Sequence, residues 1–238
     1  MDLSDLTLEE ALQKGIITKG RWNDPDWEVD EPEWRKALRF AEKYHAEAGS
    51  TYMDKSGNIR FGKETPYFKF IQGVLGILYG EVNLVNEDLL TIAALYKILE
   101  LTACEEKTIE KEFDKDILES VKLLQNGNRF TFGERLQYLA ELDAPRGQKL
   151  TYIFLAVKLM EERVIDICPL ESWEKDIPHY THIAEELEQY GLAVCRKKHW
   201  NRAIFLGEKI LKQLEKNKRH SRNCNKTAEE LYKGWIEG

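Results

Sequence analysis

The chain has 238 residues and is 42% hydrophobic, enough to bury one sizeable core. It contains no apolar run of ~18 residues, so we expect no membrane span. Its acidic, polar start does not have the pattern of a signal peptide. Four widely spaced cysteines without a Cys-x-x-Cys pair indicate reduced thiols, and we therefore expect a cytoplasmic protein.

The net charge of −7 argues against a general nucleic-acid binder. The charge is nevertheless uneven along the chain, because residues 1–34 hold ten carboxylates and three Lys/Arg, whereas residues 196–222 are rich in Lys, Arg and His. The basic segment has two interpretations, a solvated helix face and a contact with nucleic acid, and the first is the commoner case.

The order of apolar positions and helix-end residues predicts an almost entirely helical chain. Pro32 near a helix start and Gly49 at its end place a first core helix between them. Further helices are predicted at roughly 65–80, 87–102, 105–124, 132–142, 147–165, 178–191, 198–217 and 227–233. The segments 87–102 and 147–165 are apolar nearly all round and should form the buried centre of an all-α bundle of about 8–10 helices.

Several short segments together resemble one known family. Their sequences are A-L-R-F-A-E-K-Y-H at 37–45, Arg60 followed by T-P-Y at 65–67, A-A-L-Y-K-I-L-E-L-T at 93–102, T-I-E-K-E-F at 108–113, G-E-R-L-Q at 133–137, L-A-V-K-L at 155–159 and P-L-E-S-W at 169–173. In this order they resemble the single-domain alarmone (ppGpp) hydrolases and the hydrolase domain of RelA/SpoT proteins, in the HD-domain superfamily. The resemblance covers about 36–215 and implies an HD-domain-like helical bundle.

The resemblance fails at the family's four metal ligands. These are the His of P-Y-I-x-H-P, the His-Asp pair and the Asp of L-A-D, and the matching positions here are Phe70, Tyr96, Lys97 and Val157. None of the four is an imidazole or carboxylate donor of the kind that a catalytic divalent metal requires. We therefore expect no metal site, no cofactor and no hydrolysis by the family mechanism, which depends on metal-activated water.

One interpretation of the altered site is that it still binds a nucleotide. Lys97 would supply the counter-charge that the metal once provided, without activating water. Arg60 matches a basic position that lies near the guanine base in the family, and Tyr96 and Glu100 would contact base or ribose. The remaining cations of this proposed ligand-binding set are Lys63, Lys158 and Arg163. The ligand would be a phosphorylated signalling nucleotide, either ppGpp-like or cyclic.

The other interpretation is that the site is filled. Phe70, Tyr96 and Val157 would then be ordinary core residues, and Lys97 would pair with Glu100 on the same helix face. The protein would act through its surface as an inhibitor, antitoxin or adaptor. The Trp22–Trp34 segment is a candidate contact for a protein partner, because aromatic residues anchor interfaces, although its rings could instead cover the protein's own core.

The sequence thus predicts three parts: an acidic, Trp-containing extension at 1–34, an HD-like domain at 35–217 and a short helical tail at 218–238. The predicted function is a non-catalytic HD pseudo-hydrolase that binds, and sequesters, a phosphorylated nucleotide. The alternative is a protein interaction module with a dead pocket. The sequence leaves the oligomeric state open.

Overall fold

A computed structural model of the chain describes residues 32–49, 67–125, 130–165 and 177–224. Contacts divide the chain into the units Met1–Pro32 and Glu33–Gly238, and every element given below belongs to the second. The predicted boundaries near residues 34 and 217 remain predictions. Among the described residues, no helix is both long enough and apolar enough to cross a membrane.

Every regular element in the described ranges is helical. The α-helices are α1 (Glu33–Glu47), α2 (Tyr67–Leu75), α3 (Glu87–Ala94), α4 (Ile98–Leu101), α5 (Glu106–Phe113), α6 (Lys115–Gln125), α7 (Phe132–Glu141), α8 (Arg146–Ile165), α9 (Ile177–Glu186), α10 (Ala193–Lys197) and α11 (Asn201–Cys224). Two π-helical segments, π1 (Gly76–Glu81) and π2 (Leu187–Leu192), continue α2 and α9.

Helix α8 is the centre of the bundle. It packs against α2, α3, α6, α7 and α11. Its inward residues are almost entirely inaccessible to solvent: Leu150, Ile153, Leu155, Ala156, Val157 and Leu159. Helix α3 is also buried from Leu89 to Ala94. The predicted central position of these two apolar segments is therefore confirmed, because a helix without a polar face is stable only when other helices surround it.

Two predicted helices are broken in the structure. The predicted helix at 87–102 ends at Ala94 and resumes at Ile98, with Lys97 in the left-handed conformation at a φ of 61°. The predicted helix at 105–124 is interrupted at Asp114, whose φ is 87°. Asp114 also starts the next helix, since its carboxylate accepts a hydrogen bond of 2.9 Å from the Ile117 amide. Neither break contains the Gly or Pro that would have indicated it in the sequence.

The C-terminal half of the bundle is held together by close contacts at glycine. Gly191 in π2 is buried against Leu136 of α7, and a Cβ added there would collide with the Leu136 Cδ2 atom. Gly80 in π1 is exposed, and an added Cβ would meet no atom within 4 Å. The same residue type therefore fulfils a packing requirement in one π-helical segment and none in the other.

We predict that Gly191→Ala lowers the free energy of unfolding by about 1–3 kcal/mol, the usual range for overpacking a filled core. Gly80→Ala is the matched control in the other π-helical segment, and it should leave stability unchanged or raise it by up to about 1 kcal/mol. Urea unfolding followed by circular dichroism measures both. Equal effects of the two substitutions would show that the contact between Gly191 and Leu136 is not tight.

Candidate functional site

The positions that match the family's metal ligands lie on three elements around the centre of the bundle. Phe70 is on α2, Tyr96 and Lys97 are in the turn between α3 and α4, and Val157 is on α8. The exposed fractions are 0% for Phe70, 3% for Val157 and 8% for Tyr96. All three belong to the main hydrophobic cluster, so Phe70 and Val157 are core residues, as expected for a filled site.

Aromatic packing extends from Phe70 to the first helix. The Phe70 ring lies 5.5 Å from the ring of Tyr67, which lies 5.1 Å from the His45 ring. His45 is 1% exposed, and burial lowers the pKa of its imidazole to about 4. A neutral, buried imidazole packed on the Tyr67 ring is a core residue.

Lys97 lies at the surface end of this site. Its Nζ atom is 3.4 Å from the Glu100 carboxylate and 5.9 Å from the centre of the Tyr96 ring. The predicted pairing of Lys97 with Glu100 is therefore confirmed. About a third of each of the two charged side chains is exposed, and such an ion pair contributes only about 0–1 kcal/mol and is readily exchanged.

Lys158 occupies a different environment. Its side chain is 11% exposed, and its Nζ atom lies 2.7 Å from Glu162 and 3.5 Å from Glu161. Burial disfavours the ammonium, but the two carboxylates outweigh that effect and raise the pKa of Lys158. Asn217 of α11 donates hydrogen bonds to the main-chain oxygen and the carboxylate of Glu162. Lys158 is thus part of a buried polar network that joins α8 to α11.

Arg163 is engaged at the end of α8. Its guanidinium binds Glu81 through both nitrogens, at 2.5 and 3.0 Å, and Lys209 binds the same carboxylate at 2.5 Å. Hydrogen bonding from Arg163, opposed by burial and supported by Lys209, lowers the pKa of Glu81 to about 2. This network of one carboxylate and two cations connects π1, α8 and α11.

The structure therefore separates the predicted ligand-binding residues. Tyr96, Lys97 and Glu100 lie together at the turn before α4. Lys158 and Arg163 are bound to carboxylates of their own surroundings, at contacts that involve α11 and π1. Arg60 and Lys63 lie outside the described residues, as do Trp22 and Trp27. Trp34, at the end of the predicted contact segment, packs on the core and stacks on Tyr79 with ring centres 6.1 Å apart.

Sequence reasoning missed the role of Arg135 on α7. Its side chain is 3% exposed, donates a hydrogen bond to the Leu123 carbonyl, and lies 5.8 and 5.5 Å from the Phe130 and Tyr138 rings. Its guanidinium also interacts electrostatically with Tyr96 and Glu100. The spacing of Phe130, Arg135 and Tyr138 was the available signal, but only the fold shows that the buried guanidinium lies against both rings.

The aromatic pair beside Arg135 is exposed. The Phe130 and Tyr138 rings stack with centres 5.7 Å apart and planes 14° apart. The residues are 44% and 37% exposed. We call Phe130, Tyr138 and the guanidinium beneath them the aromatic surface.

No group of three or more His, Cys, Asp or Glu side chains in the described ranges is arranged to hold a metal ion. At the matched ligand positions the described side chains are a phenyl ring, a phenol, an ammonium and an isopropyl group. These groups do not fit a hard divalent cation, which takes carboxylate oxygen and imidazole ligands.

Comparison with solved structures agrees with this architecture. A metazoan ortholog of SpoT, which hydrolyses ppGpp and plays a role in starvation responses, is similar with a TM-score of 0.53 and 19% identity. The similarity covers 76% of this chain and 94% of that chain. At this level of identity it establishes the fold: the protein is an all-α, HD-domain-like helical bundle. No protein-family model matches the chain, and no curated protein matches it.

We predict that breaking the buried ion pair of α8 destabilises the bundle. Glu162→Gln removes a carboxylate 2.7 Å from the buried Lys158 ammonium. It should lower the free energy of unfolding by about 3–5 kcal/mol, because the ammonium would keep only the more distant and more exposed Glu161 carboxylate as its counter-charge. Glu161→Gln changes the adjacent residue, which contacts the same lysine at 3.5 Å and is more exposed, so its effect should stay below about 1 kcal/mol. Chemical denaturation of both variants measures the difference, and similar losses would disprove the assignment.

Proposed function

We propose that this protein is a non-catalytic HD-like domain that acts by binding rather than by hydrolysis. The proposal rests mainly on one observation: Phe70 and Val157, at two of the matched ligand positions, are packed into the hydrophobic core. Replacing imidazole and carboxylate groups there with apolar groups removes the cost of burying polar groups and charges. The same replacement removes the donors on which metal-activated water depends.

We further propose that the bound species is a protein, so that the domain serves as an inhibitor, antitoxin or adaptor. The aromatic surface supports this choice. Stacked, half-exposed aromatic rings with an arginine beside them have the composition of an interface anchor. Phe and Tyr side chains exposed to this degree contribute little to the protein's own core, whereas a partner could bury them fully.

The test compares partner capture by the wild-type chain and by Phe130→Ala/Tyr138→Ala. Partners are cross-linked in an extract of the source cells and identified by mass spectrometry, and the recovered partner is then purified and titrated. The double substitution should weaken binding of the purified partner at least tenfold. Tyr79→Ala/Val85→Ala is the matched control, since those two residues are exposed to 53% and 68% at other places, and it should change the Kd less than twofold. A partner whose binding tolerates the first pair would refute this interface.

A second candidate is nucleotide binding at the turn that contains Tyr96, Lys97 and Glu100. Two observations favour it: the fold is that of a ppGpp hydrolase, and the exposed Lys97–Glu100 ion pair can exchange its carboxylate for a phosphate at little cost. Lys158 and Arg163 would not take part, because each is engaged by carboxylates of its own. Arg60 and Lys63 would complete the phosphate site under this proposal.

Calorimetry with ppGpp, pppGpp and cyclic dinucleotides, with and without Mn²⁺, tests this second candidate. We predict metal-independent binding of one intact nucleotide that Lys97→Glu weakens at least tenfold and that Lys43→Glu, at another exposed lysine of the bundle, leaves within twofold. The nucleotide is analysed by chromatography afterwards. No binding across the panel would refute the nucleotide site, and turnover that depends on Mn²⁺ would refute the proposal of a non-catalytic domain.

A further inference from the structure

The solvent-facing side of α11 has an unusual distribution of charge. Five cations and one aromatic ring follow one another at alternating spacings of three and four residues: Arg202, Phe205, Lys209, Lys212, Lys216 and Arg219. Residues at this spacing lie along one face of a helix. The stripe is about 25 Å long at a rise of about 1.5 Å per residue. We call these six residues the basic stripe.

The stripe is distinct from the face that α11 packs against the bundle. The buried residues in the described part of the helix are Ala203, Leu206, Gly207, Ile210, Leu214 and Asn217. A groove of about 460 Å³ lies along the outer part of the stripe, and its described lining consists of Leu211, Lys212, Glu215, Lys216 and Arg219. The groove therefore combines one apolar side chain with three cations and one carboxylate.

The acidic net charge of the whole chain gives no indication of this basic surface. Residues 196–222 contain ten Lys/Arg and two carboxylates, whereas the rest of the chain contains 25 Lys/Arg and 40 carboxylates. The net charge of −7 is thus an average over an acidic body and a basic helix. An argument from net charge alone does not apply to the field near α11, because at about 0.15 M salt that field decays over about 8 Å.

Phe205 gives the stripe a feature that a solvated helix face does not need. The residue is 40% exposed, and the Lys209 Nζ atom lies 4.9 Å from the centre of its ring. Sites for single-stranded nucleic acid combine two components. A row of cations follows the phosphate backbone, and an aromatic ring among them stacks on a base. The carboxylates of α11, Glu208 and Glu215, lie at the edge of the same helix face, and Glu215 pairs with Arg219.

We infer that the basic stripe is a binding surface for single-stranded nucleic acid, with the phosphates on Lys212, Lys216 and Arg219 and a base on Phe205. The Arg219–Glu215 ion pair, 3.5 Å long and exposed, is of the kind that a phosphate can replace. An acidic peptide would use the same cations but would have no need of the ring. This surface does not depend on the function proposed above.

The test is fluorescence anisotropy of the full chain with a labelled 15-nucleotide oligo(U) RNA, repeated between 50 and 200 mM salt. We expect log K to fall with log salt at a slope between about −2 and −3.5, as three to five neutralised phosphates require. Lys212→Glu/Lys216→Glu/Arg219→Glu should weaken binding at least thirtyfold. Phe205→Ala should weaken it about fivefold or more while leaving the salt slope unchanged, because it removes stacking and no charge.

The matched control is Lys107→Glu/Lys111→Glu/Lys115→Glu, which makes the same change in net charge at exposed lysines on α5 and α6. It should change the affinity by less than threefold, and melting curves must show that every variant is folded. Absence of binding at 50 mM salt would overturn the inference. So would equally tight binding of a 15-residue polyglutamate peptide, or an affinity for RNA that Phe205→Ala leaves unchanged, because the surface would then attract any polyanion.

Discussion

The burial of helix α8 along most of its length is the constraint on which the rest of the structure depends. Five helices pack against it, so each side chain that it directs inward must be apolar or fully paired. Val157 on α8 and Phe70 on α2 belong to the same hydrophobic cluster. Apolar packing is therefore continuous between these two helices.

The charges that remain on α8 follow from the same constraint. Lys158 comes directly after Val157. Its ammonium is stable in the interior only because the carboxylates of Glu161 and Glu162 compensate its positive charge. Asn217 then supplies donors to Glu162 that water cannot supply there. Arg163, one turn further, reaches the edge of the bundle and shares Glu81 with Lys209. The cations of α8 that the sequence suggested for ligand binding are instead paired with carboxylates of the protein itself.

Local patterns predicted much of this from the sequence. Apolar periodicity identified the central helices, whereas the substitution of ligand residues by Phe70 and Val157 left two interpretations open, a filled site and a site that still binds a nucleotide. The pairing of Lys97 with Glu100 followed from their spacing of three residues. The left-handed Lys97 and the break at Asp114 could not be predicted in the same way. Neither residue is a glycine, so the residue types gave no indication of the positive φ angles.

The sequence also did not reveal which side chains pair with residues that are distant in the chain. Arg135 is separated from Leu123 by 12 residues, Asn217 from Glu162 by 55 and Arg163 from Glu81 by 82. A single sequence shows which of these side chains are charged but not which of them are already paired. That difference decides the functional argument, because only a cation without a buried partner can give its charge to a ligand at small cost.

Phe70 and Val157 are packed into the core, so contacts with other molecules depend on side chains that the fold exposes. The described residues offer three such places: the turn at Lys97, the aromatic surface and the basic stripe. They differ in chemistry, with one exchangeable ion pair, one stacked aromatic pair and one row of cations around a ring. The fold places each on a helix or at a helix end whose inner face is fixed by the core. A binding surface can therefore change without disturbing the packing around α8.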